Sequence, residues 1–308
     1  MKYKYLKDVA KEFNLELLND VDIIKRKITT TNVNRPGLHL LGFFDVFGSN
    51  AIQVFGKGEM TFLQTLSSED RKLILDKFFT FDIPCVVIAR GLEVFSEMFE
   101  SSKNNNIPML VTNTITTIFV GQLMSYLNYE LGDSTSMHGV LVEVYGEGIL
   151  ITGESGVGKS ETALELIKRG HSFIADDVVE IKKISYNILE GQAPKLLKYF
   201  MEIRGLGLID IGRLFGMGSI KDSYMIDMVI NLENWDGNKE YDRAGIEEQK
   251  TTILGIEIPC VTIPIKPGRN LGVIVESAAM NLRQKSLGYS AAKVLNDRVI
   301  KEMKKKSK

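Results

Sequence analysis

The chain has 308 residues, 44% hydrophobic and 25% charged, a balance that excludes a disordered chain and suits a globular one of one or two domains. Its 38 lysines and arginines nearly cancel 39 aspartates and glutamates, which excludes a whole-molecule field suited to nucleic acid or to an anionic membrane. Cys85 and Cys260, each in an apolar run, suit neither a disulfide framework nor a zinc site; no apolar segment reaches the roughly 18 residues of a membrane span, and MKYKYLKDVAKEF lacks a signal-peptide core, so the expected compartment is the cytoplasm.

In chain order, YLKDVAKEFNLELL (5–18) places Leu6, Val9, Ala10, Phe13 and Leu17 on one face at helical spacing. NRPGLHLLGFF (34–44) reads as a turn followed by a buried strand, or equally as a site. IQVF (52–55), CVVIA (85–89) and PMLVT (108–112) read as buried strands. SSEDRKLILDKFF (67–79) opens on a serine and early acids, which suit the positive end of a helix. FVGQLMSYLNYEL (119–131) is a further helix. Repeated βα units predict a small N-terminal α/β domain with a parallel or mixed sheet over residues 1–131. That half shows no phosphate loop, metal spacing or nucleophile constellation.

LGDSTSMHG (131–139) breaks the pattern with small polar residues and sets the predicted boundary near residue 132. GVLVEVYGEGILITG (139–153) reads as two strands around Gly146. Then come a helix at about 160–169, strands at 172–176 and 178–184, an imperfect alternation at 225–232 and an apolar strand at 258–265. Helices at 270–287 and 290–304 follow, and the basic tail KEMKKKSK (301–308) reads as a solvated end. Residues 132–308 are thus predicted to be mixed α/β.

Gly153, Glu154, Ser155, Gly156, Val157, Gly158, Lys159 and Ser160 fit G-x-x-x-x-G-K-[ST] without mismatch, after the strand GILIT and before the helical TALELIKR. Glycines let successive backbone N–H groups turn inward around phosphates, and the following helix adds its positive end. Lys159 supplies a cation, and the Ser160 hydroxyl can ligate Mg²⁺. A GTPase switch is excluded on spacing. D-x-x-G occurs about eighty residues downstream, at Asp242, and no N-K-x-D accompanies it.

Phe173, Ile174 and Ala175 lead into Asp176 and Asp177, so the acids sit at the carboxyl end of a strand, the end that faces a ligand. The short helix between cradle and dyad predicts that their strands are close neighbours. Consecutive side chains on a strand point to opposite faces, so the two acids divide labour rather than chelate one ion. Either Asp176 holds Mg²⁺ and a bend turns Asp177 toward the γ-phosphate, or the pair is only a turn between strands.

His138 and Gly139, GESGVGKSE with HSFIADD, MEIRGLGLIDI (201–211), Asp242 and Arg243, and PIKPGRN (264–270) occur in that order. Together they resemble the bacterial HPr kinase/phosphorylase family, closely over the C-terminal half and through NRPGLHLLGFF and the βα order in the N-terminal half. Glu154, where the family pattern has aspartate, departs from it while keeping the charge.

The resemblance implies a P-loop kinase domain of mixed α/β type, phosphoenolpyruvate-carboxykinase-like, and a homohexamer built on these domains. It implies transfer from ATP (or pyrophosphate) to a seryl hydroxyl of the phosphocarrier HPr, and removal of that phosphate by inorganic phosphate to give pyrophosphate, under metabolite control and in the service of carbon catabolite repression. Asp177 would accept the seryl proton forward and return it in reverse, with a carboxyl pKa lifted by Asp176 and lowered by Mg²⁺. His138 would touch a phosphate oxygen or orient Asp177. Glu202, in the segment Met201, Glu202, Ile203, Arg204, Gly205, is the implied second Mg²⁺ ligand beside Ser160; without the resemblance it reads as a surface Glu–Arg pair. Arg243 is implied at the transferring phosphoryl. Lys266, Pro267, Gly268 and Arg269 are implied to bind inorganic phosphate at a helix start. His39 and His171 read as structural. The competing readings are a P-loop kinase of a small-molecule hydroxyl and a nucleotide-sensing module; the acid pair speaks against the second.

Overall fold

A computed structural model describes residues 2–239, 249–266 and 268–306. Asp242, Arg243 and Pro267 therefore lie outside the described residues. The chain divides into two compact units, residues 1–132 and 133–308.

In the first unit β1 (Lys4–Tyr5) leads into α1 (Leu6–Glu12), followed by β2 (Glu16–Leu17), β3 (Lys27–Ile28), β4 (Val33–Asn34) and β5 (Ile52–Phe55). After these come α2 (Lys57–Thr65), α3 (Ser68–Phe79), β6 (Val86–Ile88), α4 (Ser96–Asn104), β7 (Met109–Val111) and α5 (Thr116–Leu131). The sheet runs β2-β7-β6-β5-β4, parallel from β4 to β7 and antiparallel at β2. Every residue of β5 and β6 is buried, as strands covered on both faces require, and the one polar side chain among them, Gln53, donates to the carbonyls of Gly48 and Ala51 at 2.9 Å each. Ser67 caps α3, its Oγ accepting from the Asp70 N–H at 3.1 Å.

Two expectations fail here. The helix predicted over 5–18 ends at Glu12, because Asn14 takes a left-handed φ of 49° and the chain re-enters the sheet at β2. The strand predicted within 34–44 is a 3₁₀ turn at His39–Leu41 closed by Gly42 at φ 93°, with Leu38, Leu41 and Phe43 exposed. His39 is buried there, its ring 4.6 Å from that of Phe47, and neither of its nitrogens has a hydrogen-bond partner among the described residues.

The second unit begins with β8 (Ser134–His138), β9 (Val140–Val144) and β10 (Glu147–Gly153), then α6 (Lys159–Lys168), β11 (Ser172–Ala175), β12 (Val178–Ser185) and β13 (Ile188–Gln192). The hairpin β14 (Phe200–Ile203) and β15 (Gly207–Asp210) precedes α7 (Ile211–Phe215), β16 (Ser223–Met225) and β17 (Met228–Asn234). β18 (Lys250–Ile253), β19 (Ile256–Ile265), α8 (Leu271–Ser286) and α9 (Ala291–Lys306) complete it. A six-stranded sheet, β11-β9-β10-β17-β19-β18, is parallel across β10, β17 and β19. A second, antiparallel sheet runs β16-β13-β12-β8.

Side chains alternate across β10, so Ile149 and Ile151 join the core under α6 and α8 while Leu150 joins the core shared with the second sheet. Helices, sheet and sheet thus form three layers. The polar break predicted at 131–139 contains β8, whose His138 pairs with Val178 across the sheet. The strands of cradle and dyad are not direct neighbours, because β9 lies between β10 and β11 and pairs with both. Among the described residues no helix is long and apolar enough to cross a membrane.

Candidate functional site

The carboxyl end of β10 opens into residues 154–158 before α6 begins. Gly153, Gly156 and Gly158 sit at φ 141°, 83° and 97°, which side chains rarely tolerate. At Gly153 a Cβ would also fall 2.3 Å from the Leu232 carbonyl oxygen of β17. Val157 anchors the loop in the core beneath it. The amide donors at the head of α6 are therefore presented to an open cavity of about 150 Å³.

Lys159 is buried and curls back, its Nζ donating to the carbonyls of Gly153 and Glu154 at 2.9 Å each. Burial lowers its pKa, opposed by the charges of Asp176 and Asp177. Ser160 Oγ donates to Asp176 Oδ1 at 2.9 Å, and the Glu202 N–H donates to Asp176 Oδ2 at 3.0 Å. One buried carboxylate thus ties the head of α6 to β14. Burial raises the pKa of Asp176, its hydrogen bonds resist that shift, and the charge of Asp177 adds to it.

Asp177 follows at φ 66°, so the chain bends between the two acids. Its side chain is 59% exposed and lies 3.0 Å from His138 Nδ1, while its carbonyl accepts from the Gly139 N–H. The β8–β12 register brings His138 to this position. Asp176 faces the serine and Asp177 faces the histidine, so the paired acids have different partners.

The cavity collects His138, Lys159, Ser160, both aspartates and Glu202 around the loop. Arg204 also lines it, NH2 donating to Ser155 Oγ at 2.9 Å; its guanidinium lies against Gly156. The reading of Glu202 and Arg204 as a surface pair gives way to this, since Arg204 reaches the loop instead. Met201 is fully buried in the core, Ile203 packs against it, and Gly205 turns the hairpin at φ 83°. Glu161, passed over in the sequence, lines the cavity too; its only signal was its place beside Ser160.

Lys266, Gly268 and Arg269 do not line this cavity. Lys266 Nζ sits 3.3 Å from the centroid of the Trp235 ring, and Arg269 NH1 donates to the Pro264 carbonyl at 2.7 Å. The segment leads directly into the start of α8. The donors at the start of α8 are already engaged, Val273 N–H by Asn270 Oδ1 at 2.9 Å and Gly272 N–H by the Glu165 carboxylate of α6. No cluster of three or more His, Cys, Asp or Glu able to enclose a metal occurs among the described residues.

A family model of the HPr serine kinase C-terminal domain matches residues 129–299, and one of the HPr serine kinase N terminus matches residues 5–127. The chain is 48% identical over 304 residues to the HPr kinase/phosphorylase of Caldicellulosiruptor bescii, covering 98% of each chain. It is 46% identical over 307 residues to that of Alkaliphilus metalliredigens, covering 100% of this chain and 99% of the relative. A solved structure of the Hpr(Ser) kinase/phosphatase from Coxiella burnetii is 34% identical, spanning 52% of this chain and 98% of that one at a TM-score of 0.47.

Proposed function

The chain belongs to the HPr kinase/phosphorylase family, and from that premise we infer that its cavity transfers a phosphoryl group in both directions between a polyphosphate and a seryl oxygen of HPr. The donor is ATP or pyrophosphate. Its terminal phosphates lie along the backbone amides of residues 153–160 at the positive end of α6. Lys159 spends two of its three N–H donors on Gly153 and Glu154, which fixes the ammonium and leaves the third for a phosphate oxygen. Arg204, across the loop at Ser155, supplies a second cation from the opposite side.

Mg²⁺ fits the residues present. Asp176 accepts the Ser160 proton, so the lone pairs of Oγ are left for the cavity, and the Glu202 carboxylate lines the same space. These are hard oxygen donors, and one or two protein ligands with phosphates and water complete the ordinary shell of this ion. When bound, it neutralises charge on the phosphate oxygens.

The observation that carries the reading is the split of the acids. Asp177 stands exposed at the mouth of the cavity against His138, where a protein side chain can reach it, while Asp176 is turned inward on Ser160. In the forward direction the seryl oxygen bonds to the γ-phosphorus, the bond to the bridging oxygen breaks, and the seryl proton passes to the Asp177 carboxylate. In reverse an oxygen of inorganic phosphate bonds to the phosphoseryl phosphorus, pyrophosphate forms, and Asp177 returns the proton to the departing seryl oxygen. His138 holds the Asp177 carboxylate in line for both.

Arg243 serves the transferring phosphoryl and Lys266 with Arg269 serve inorganic phosphate, roles that rest on the family resemblance. The chain acts as a homohexamer in the cytoplasm, and its reaction controls sugar uptake and carbon catabolite repression. Incubation with HPr, ATP and Mg²⁺, followed by mass spectrometry of HPr, tests the forward step. One phosphoserine on HPr is expected; ATP turnover only with a small-molecule acceptor would replace this reading with a metabolite kinase.

A further inference from the structure

The described residues that line the cavity are all polar or glycine, and its volume of about 150 Å³ suits phosphates rather than a folded acceptor. An acceptor protein therefore rests on what surrounds the mouth. The hairpin β14–β15 forms one wall, and its register decides which side chains share that wall with Glu202. Met201 pairs with Ile209 and both turn into the core, as does Ile203. Strand alternation then puts Glu202 and its direct partner Leu208 on the opposite, outer face, with Phe200 two residues back on the same side.

Leu208 is 63% exposed, Phe200 is 37% exposed, and Leu206, at the turn between Gly205 and Gly207, is 68% exposed. None of the three belongs to the core cluster beneath the hairpin. Single exposed leucines are ordinary on a protein surface; neighbouring apolar side chains on the wall of a charged cavity are not. The face is also held still. Both glycines take left-handed φ, 83° and 87°, and the Leu206 N–H donates to the Ile203 carbonyl at 3.0 Å, which closes the turn. The hairpin is tied to the cradle through the Glu202 N–H on Asp176 and the Arg204 guanidinium on Ser155. A partner resting on this face is thus placed in a fixed position relative to Asp177, the exposed acid that the acceptor serine has to reach.

We propose that Phe200, Leu206 and Leu208 form a docking face for HPr, taking an apolar patch beside its target serine, and that this contact rather than the cavity selects a protein acceptor. The occupant follows from continuity: Leu208 adjoins Glu202 across the hairpin, Glu202 lines the cavity, and the serine enters by the same mouth. The inference rests on the reading that HPr is phosphorylated at Asp177. The face contributes binding in both directions, because HPr and its phosphoserine form present the same flank.

The test uses the full chain with Leu208→Thr, Leu206→Ser and Leu208→Met, measuring KM and kcat for HPr and for ATP in phosphorylation, and KM for Ser-phosphorylated HPr in dephosphorylation. Threonine keeps the strand preference of the position, and methionine keeps its apolar surface. Leu208→Thr and Leu206→Ser should each raise KM for both forms of HPr by about five-fold or more, the scale of burying a largely exposed leucine, while KM for ATP stays within about two-fold. Leu208→Met should leave both within about two-fold. Thermal melting checks that each variant folds, and Leu206→Ser, in the turn, serves if Leu208→Thr does not. Unchanged KM for HPr in a folded variant overturns the docking face and leaves the two-way reading intact. A fall in kcat, or an equal rise in KM for ATP, means that the hairpin acts on the cavity, and a change of oligomeric state in size-exclusion chromatography makes the face a contact between copies; either overturns the proposal. If the unsubstituted chain itself places no phosphate on HPr, the two-way reading falls and the docking face with it.

Discussion

Asp177→Asn tests the proposed proton transfer while leaving the hydrogen bonds of the cradle in place. Asp177 makes no contact with residues 153–160 among its hydrogen bonds and ion pairs; its side chain is 59% exposed and meets His138 at 3.0 Å. An exposed pair of this kind contributes about 0–1 kcal/mol to stability, so the fold is expected to be unaffected. Position 177 has φ 66°, a region in which asparagine is among the best tolerated residues and alanine costs about 1–2 kcal/mol. Asparagine keeps the shape and the backbone and removes the carboxylate proposed to take and return a proton. That function is worth roughly 10²–10⁴ in rate, about 3–5 kcal/mol of barrier. The assay measures three quantities on one preparation: phosphorylation of HPr, its phosphate-dependent dephosphorylation, and nucleotide affinity by equilibrium binding. Both rates should fall by at least a hundred-fold while affinity stays within about three-fold. A variant that keeps either rate within ten-fold, or loses nucleotide affinity by more than ten-fold, would refute the proton-carrier role.

Arg204→Ala removes the cation that leans on the loop at Ser155 and should weaken ATP binding about ten-fold, the scale of one charge-assisted hydrogen bond; unchanged affinity in a binding titration would leave Arg204 as a prop for the loop. His39→Leu should stabilise the first unit by about 1–3 kcal/mol, since both ring nitrogens are buried without partners. Burial holds the His39 pKa below its ordinary value of 6.5, so its contribution is full above that pH and is lost as pH falls through the folded-state value. Melting curves at pH 7.5 and 5.5 should therefore converge in His39→Leu relative to the unsubstituted chain; equal pH dependence in both would refute this. Gly148→Ala would place a Cβ 1.7 Å from the Met225 carbonyl oxygen and should cost about 3 kcal/mol or more, whereas Gly218→Ala, with open space around it, should change the melting temperature little.

The cradle was legible because its chemistry is local. Three left-handed glycines and a Lys-Ser at the head of a helix leave a fixed spacing in the chain, and GESGVGKS carries it. The strand holding His138 was not legible, because β8 is an edge strand with one half-buried face and needs no apolar run. Its polar residues resembled a linker. The direction of each aspartate depends on one backbone angle at Asp177, which sequence alone leaves open. The insertion of β9 between β10 and β11 is a pairing decision made across the sheet, invisible to a reading of adjacent segments. Arg204 was visible as part of a motif, but its reach to Ser155 comes from the hairpin β14–β15 docking against the loop through Asp176 and the Glu202 amide. The engaged start of α8 was hidden for the same reason: Glu165 lies on another helix, over a hundred residues upstream.

One site working in two directions is tested best by following phosphorus through the reverse reaction. Ser-phosphorylated HPr, Mg²⁺ and inorganic phosphate are mixed with the enzyme and observed by phosphorus NMR. For a two-way site, pyrophosphate should appear mole for mole as the phosphoserine signal disappears. Loss of phosphoserine with only inorganic phosphate gained, and no pyrophosphate, would mean that water is the acceptor and would contradict it.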